Sequence, residues 1–180
     1  MNSGTTTVPT KGTHNGYEYV DLGLSVKWAT NNMDGHYRFG EKIPIPTERT
    51  YDIYKGYTYS LANDVPRANW GGKWRLPTKS EFDELINRCT WTTSTQGGDK
   101  GLKVTGPNGN SIFFPAAGYR HESDKSLMKR GKGGYYWSST HYAGIGRVWI
   151  LNITYDGLKG YLETSATYGS NGCSIRPVLP

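Results

Sequence analysis

Apolar residues occupy every second position from Val20 to Trp28: Val20, Leu22, Leu24, Val26 and Trp28 alternate with Asp21, Gly23, Ser25 and Lys27. Period two marks strand with one buried face. Gly23 marks a bend or bulge within it, which leaves one long strand and two short ones both open. Further on the period changes. Phe82, Leu85, Ile86 and Cys89 stand at i, i+3, i+4 and i+7, the apolar stripe of an amphipathic helix. Thr78 and Glu81 precede it with capping-box spacing, and Pro77 suits an extended entry. The helix is expected to stop near Cys89, because Thr90-Trp91-Thr92-Thr93 favours strand. Just upstream, Trp70 and Trp74 around Gly71-Gly72 read as a tight core crossing.

The second half reads as an antiparallel sheet. Leu102 and Val104 begin a strand, Gly106-Pro107-Asn108-Gly109 turns it, and Ile112-Phe113-Phe114 returns. Tyr135 to Ser139 is a further strand, and Trp149, Leu151 and Ile153 alternate with Val148, Ile150 and Asn152 in another. Asp156-Gly157 turns into a return strand from Leu158 to Thr164, and Ser174 to Val178 forms the last strand. Asn31 to Asn69 has no sustained period and predicts long connections with one short helix around Leu61 to Ala68. Residues 1–13, rich in Thr, Ser and Gly, read as a disordered leader, and 14–180 as a single domain.

A chain of 180 residues is long enough to bury about two-thirds of its extended surface. Fourteen Tyr and six Trp against four Phe supply apolar area with polar handles, which suits a loop-rich fold or a contact surface. No run is long enough for a membrane span, and the N-terminus lacks a signal-peptide apolar core. A cytoplasmic protein and a trimmed form of an exported one both remain open. The net charge of +6 is dispersed. Its densest stretch, Lys125, Lys129, Arg130 and Lys132, reads as a solvated loop, so no nucleic-acid partner is expected. Cys89 and Cys173 read as two buried thiols in preference to a bridge. Neither they nor His14, His36, His121 and His141 have metal or catalytic spacing, so no catalytic residue, metal or cofactor is expected.

Alternation also supplies candidate contact residues. With Trp149, Leu151 and Ile153 facing the core, Ile150 and Asn152 face outward. On the return strand Leu158 and Leu162 face inward, and Lys159, Tyr161 and Glu163 outward. His141, Tyr142, Ile145, Arg147, Tyr155, Tyr168, Ser170 and Asn171 border this patch from loops and strand ends. Its Tyr and Arg side chains are the expected hot spots.

Five segments occur in order: GYEYVDLGLSVKWAT, NWGGKWRLPTKSEFDEL, KVTGPNGNSIFFPAAGYR, YYWSST and CSIRPV. From Gly16 to Val178 this set resembles the Fibrobacter-type major paralogous domain of gut bacteria, a branch of the C-type lectin-like fold. The resemblance implies an α+β domain with two helices, antiparallel sheets, paired N- and C-terminal strands and long ligand-facing loops. Two relatives of that fold imply different functions. Arg75 to Glu81 is similar to the corresponding segment of formylglycine-generating and related oxidases, which use a cysteine pair late in the chain; here Ser174 follows Cys173. The stretch 135–180, rich in Tyr, Asn, Ser, Thr and Gly, is similar to the variable region of diversity-generating retroelement proteins of phages and gut bacteria. The Glu-Pro-Asn, Gln-Pro-Asp and Trp-Asn-Asp tripeptides of calcium-dependent sugar binders are absent. The expectation is therefore a non-enzymatic receptor-binding or adhesion domain at a cell surface or on a virion, holding a protein or surface glycan. The alternatives are an oxidase-like enzyme and an adhesive surface module without a separate ligand.

Overall fold

The structure, a computed structural model, describes residues 10–46, 63–143, 146–155 and 160–180, with 160–162 described by backbone alone. The alternation from Val20 to Trp28 resolves into two strands, β2 (Tyr17–Val20) and β3 (Lys27–Ala29). Gly23 makes the break between them at φ +75°, where its N–H donates to Asp21 Oδ1 at 2.7 Å. Ahead of β2 lies β1 (Lys11–His14), paired with it antiparallel. Ordered strand thus begins inside the stretch read as leader; its first nine residues lie outside the described ones. The turn between the strands is Asn15-Gly16, both at positive φ, the geometry of a two-residue hairpin.

Two short helices follow. Helix α1 (Val65–Asn69) is capped by Asp64, which also accepts from the Leu76 N–H at 3.1 Å. It overlaps the span expected for a short helix and runs one residue past its end, to Asn69; Leu61 and Ala62 of that span fall outside the described residues. Helix α2 (Lys79–Arg88) carries the expected capping box, with Thr78 accepting from the Glu81 N–H at 3.2 Å and Glu81 from the Thr78 N–H at 2.8 Å. Phe82 and Leu85 are buried, while Ile86 and Cys89 are partly buried against the same core. Trp74 is fully buried, meeting Trp70 edge-to-face at 5.2 Å and donating from Nε1 to the His14 carbonyl at 2.8 Å.

The remainder is antiparallel. Strands β4 (Thr90–Gln96), β5 (Asp99–Thr105) and β6 (Ser111–Pro115) form one sheet, with the expected turn between the last two. A small pair, β7 (Tyr119–Arg120) and β8 (Leu127–Met128), leads into a third sheet. That sheet joins β9 (Gly133–His141), β10 (Arg147–Tyr155) and β11 (Gly160–Tyr168), with β10 central. The chain closes with β12 (Val178–Leu179) on β3, so strands from the two ends share a sheet. This is an α+β architecture, mostly antiparallel sheet with two short helices.

Three expectations need correction. Ile150 is not outward but 2% exposed, and Trp149 is half-buried instead of core. The alternation argument assumes one covered face, whereas β10 is packed on both. Val148 and Ile150 join Trp137, Cys173 and Ile175 on one side, and Leu151 and Ile153 join Trp28, Phe82 and Phe114 on the other. The last strand is also shorter than Ser174 to Val178. Its first part bridges sheets one residue at a time, Cys173 to Tyr37 and Ser174 to Tyr136, and Pro177 has no N–H to extend a ladder. Finally, Lys125 is 3% exposed at φ +58°, so the basic stretch is a solvated loop only at Lys129, Arg130 and Lys132.

One buried side chain ties these sheets together. Arg176 is 1% exposed, its guanidinium 4.4 Å from the Phe114 ring centroid. Nε donates to Asn32 Oδ1 at 2.7 Å, Nη1 to the Thr30 and Ala29 carbonyls at 2.9 and 3.1 Å, and Nη2 to the Phe113 carbonyl at 2.8 Å. Burial pulls its pKa down to about 10, which still leaves it charged at neutral pH.

Candidate ligand-binding face

Cross-strand register assigns the two faces of the β9–β10–β11 sheet. Arg147 lies opposite Tyr168, Trp149 opposite Ala166 and Leu151 opposite Thr164 on the face that α2 covers in part. The helix is fixed there by hydrogen bonds from Thr164 Oγ1 to Asp83 Oδ1 at 3.0 Å and from the Lys79 N–H to Thr140 Oγ1 at 3.0 Å. Beyond the first turn of α2 this face carries a chain of cations and rings. Lys79 Nζ sits 4.8 Å from the Trp149 ring centroid, and Trp149 meets Tyr142 edge-to-face at 5.1 Å. The Arg147 guanidinium lies 5.6 Å from the Tyr142 centroid and 5.3 Å from that of Tyr168, which is 53% exposed.

Arg147 is held but not saturated. Nη2 makes a long contact of 3.4 Å to the Ala166 carbonyl, and Nε is buried with no acceptor among the described residues. A planar cation beside two tyrosine rings with donors to spare suits a carboxylate, a carbonyl or a sugar hydroxyl. The backbone beneath it is fixed by the Tyr142 N–H donating to the Arg147 carbonyl at 3.0 Å and the Gly169 N–H to the Gly146 carbonyl at 2.9 Å.

The remaining candidates lie elsewhere. Asn152 and Glu163 pair on the opposite face, Nδ2 to Oε1 at 3.2 Å, above the buried Ile150. Tyr155 stands at the far end of β10, partly buried against the main core. His141 packs edge-to-face on Phe39 at 5.3 Å. Ser170 is bonded through Oγ to the Glu122 carboxylate, and Asn171 accepts from the Glu122 N–H at 3.1 Å, so both fasten a loop. Ile145 and the side chains of Leu158, Lys159, Tyr161 and Leu162, like the turn at Asp156-Gly157, lie outside the described residues. The candidates thus divide between two faces instead of forming one patch. Tyr142, Arg147 and Tyr168 come together, and Trp149 and Lys79 join them unforeseen. Trp149 stands two residues from Arg147 and so shares its face, a signal the alternation already carried. Lys79 is distant in sequence and had none.

The two thiols are separate and subdued. Cys173 is buried among Trp137, Ile150 and Ile175, and Cys89 packs against the other core cluster. Burial pushes the Cys173 thiol far above its ordinary range; burial, with the Glu84 carboxylate adding, pushes Cys89 up to about 11. Neither native thiol is expected to react with a disulfide reagent such as dithionitrobenzoate at pH 7.5 until the protein unfolds. Rapid stoichiometric labelling of Cys173 in the native state would bring the oxidase-like alternative back. Among the described residues no cluster of His, Cys, Asp and Glu could hold a metal ion. No helix among the described residues is long and apolar enough to cross a membrane.

Comparison with family models, curated proteins and solved structures finds no match to this chain.

Proposed function

We propose that this chain is a non-enzymatic ligand-binding domain of the C-type lectin-like type, akin to the Fibrobacter-type major paralogous domains and the retroelement variable proteins. It acts at a cell surface or on a virion and grips a protein or a surface glycan. The observation that carries the reading is the Arg147 guanidinium, set beside Tyr142 and Tyr168 with its Nε lacking an acceptor among the described residues. Tyrosine beside arginine on a rigid sheet is the composition of an interface hot spot. Pairing of strands from the two chain ends, β3 with β12, supports the fold assignment. A protein ligand seated there would make a standard interface of about 800 Å² per partner. The test is a glycan array and a panel of purified bacterial and phage surface proteins, probed with the native chain and with Arg147→Ala. A ligand held by the native chain and lost by the variant is expected. A ligand held equally by both would contradict the assignment of this face.

A further inference from the structure

At the end of β10 farthest from Arg147, the fold joins lysines that the sequence keeps apart. Lys100 comes from β5, and Lys129 and Lys132 from the loop before β9. With Tyr135, Thr154 and Tyr155 they line a cleft of ≈470 Å³, inside the ~300–1,000 Å³ range of small-ligand clefts. The backbones that carry these lysines are fixed. The Lys132 and Gly133 N–H groups donate to the Lys129 carbonyl at 2.9 Å, and the Tyr155 N–H to the Lys132 carbonyl at 2.7 Å. The Ala116 N–H donates to the Lys100 carbonyl at 2.8 Å, and the Gly131 N–H to the Ala116 carbonyl at 2.7 Å. Among the described residues the lining contains no carboxylate, and the nearby Asp99 carboxylate pairs with Arg130 at 3.7 Å. Lys129 and Tyr135 also border a neighbouring recess of ≈230 Å³, where Ser165, Thr167 and Asn171 alternate with Ile150, Ala166 and Cys173.

We infer that this groove binds a short acidic oligosaccharide, its carboxylate or sulfate groups against the lysines and its next ring against the neighbouring recess. Three ammonium groups around one cleft favour a ligand with more than one negative charge. Tyr135 and Tyr155 bring aromatic side chains to the lining, which suits the CH faces of a sugar. A nucleic acid would want positive charge continuing along its backbone path. Here positive charge ends at Lys129, and the neighbouring recess is otherwise neutral in its lining, mixing hydroxyl and amide groups with apolar ones. The Glu163 carboxylate, held by Asn152, lies on the same face. The groove uses none of Tyr142, Arg147 or Tyr168, so it stands or falls apart from the face proposed above.

Isothermal titration of the native chain with trigalacturonate, a sulfated trisaccharide, neutral galactotriose and a thymidylate hexamer tests it. Trigalacturonate or the sulfated sugar is expected to bind, about tenfold more weakly at 200 mM salt than at 50 mM. Lys100→Gln, Lys129→Gln and Lys132→Gln should each weaken it about two- to fivefold. All three positions are exposed, so their thermal unfolding should match that of the native chain. The inference is overturned by galactotriose binding as well as the acidic sugars, or by tighter binding of the hexamer. It is overturned equally by undiminished binding in the triple variant, or by no binding of either acidic sugar at millimolar concentration.

Discussion

Replacing Arg176 by alanine is expected to lower the unfolding free energy by about 3–5 kcal/mol, the combined cost of several weakened buried acceptors and a new cavity. The reason is the number of groups the guanidinium serves at once. Its donors reach the Ala29 and Thr30 carbonyls next to β3, the Phe113 carbonyl of β6 and the Asn32 side chain. Without it these acceptors lose a charged donor in buried or partly buried surroundings. The space over the Phe114 ring also empties, adding a cavity. Arg176→Met refills much of that volume and separates the two contributions. It should recover the cavity part and still fall well short of the native chain. Urea unfolding followed by tryptophan fluorescence measures both variants. A loss under about 1 kcal/mol for the alanine variant would mean that water or a rearranged backbone satisfies these carbonyls.

Replacing Arg147 by alanine is expected to do the reverse: little to stability, much to binding. In the free protein its Nε already lacks an acceptor among the described residues, so its removal abandons no strong hydrogen bond. What is lost is a long contact to Ala166 and two ring contacts beside the exposed Tyr168, and the unfolding free energy should move by less than about 1 kcal/mol. Affinity for the ligand should fall about thirtyfold or more, the size expected of a central hot-spot residue. Arg147→Lys should recover little, because a lysine keeps the charge but loses the planar, forked donors beside the two rings.

The readability of this chain followed the range of the signals. Helix α2 was visible because its cap, its apolar stripe and its strand-forming exit all lie within a few residues. The β5–β6 turn was visible for the same reason. β1 was passed over because its residues are polar and it ends its sheet, although Asn15-Gly16 marks its hairpin. Ile150 was misplaced because no local pattern tells a strand covered on one face from one covered on both. Arg176, in a run that reads as ordinary strand, gave no sign that it is a buried clasp. The lysine groove and the Lys79 contact with Trp149 join residues far apart in sequence, so only the fold could assemble them.

The central claim is that the Arg147 face can be changed without disturbing the frame beneath it. Differential scanning calorimetry of a variant carrying Tyr142→Ser, Arg147→Ser and Tyr168→Ser together, run beside a ligand titration, tests that separation most directly. The account predicts a midpoint within about 4 °C of the native chain, the shift that ~1 kcal/mol produces in a domain of this size, with ligand binding gone. A midpoint lowered by ten degrees or more, or binding that survives the triple change, would contradict it.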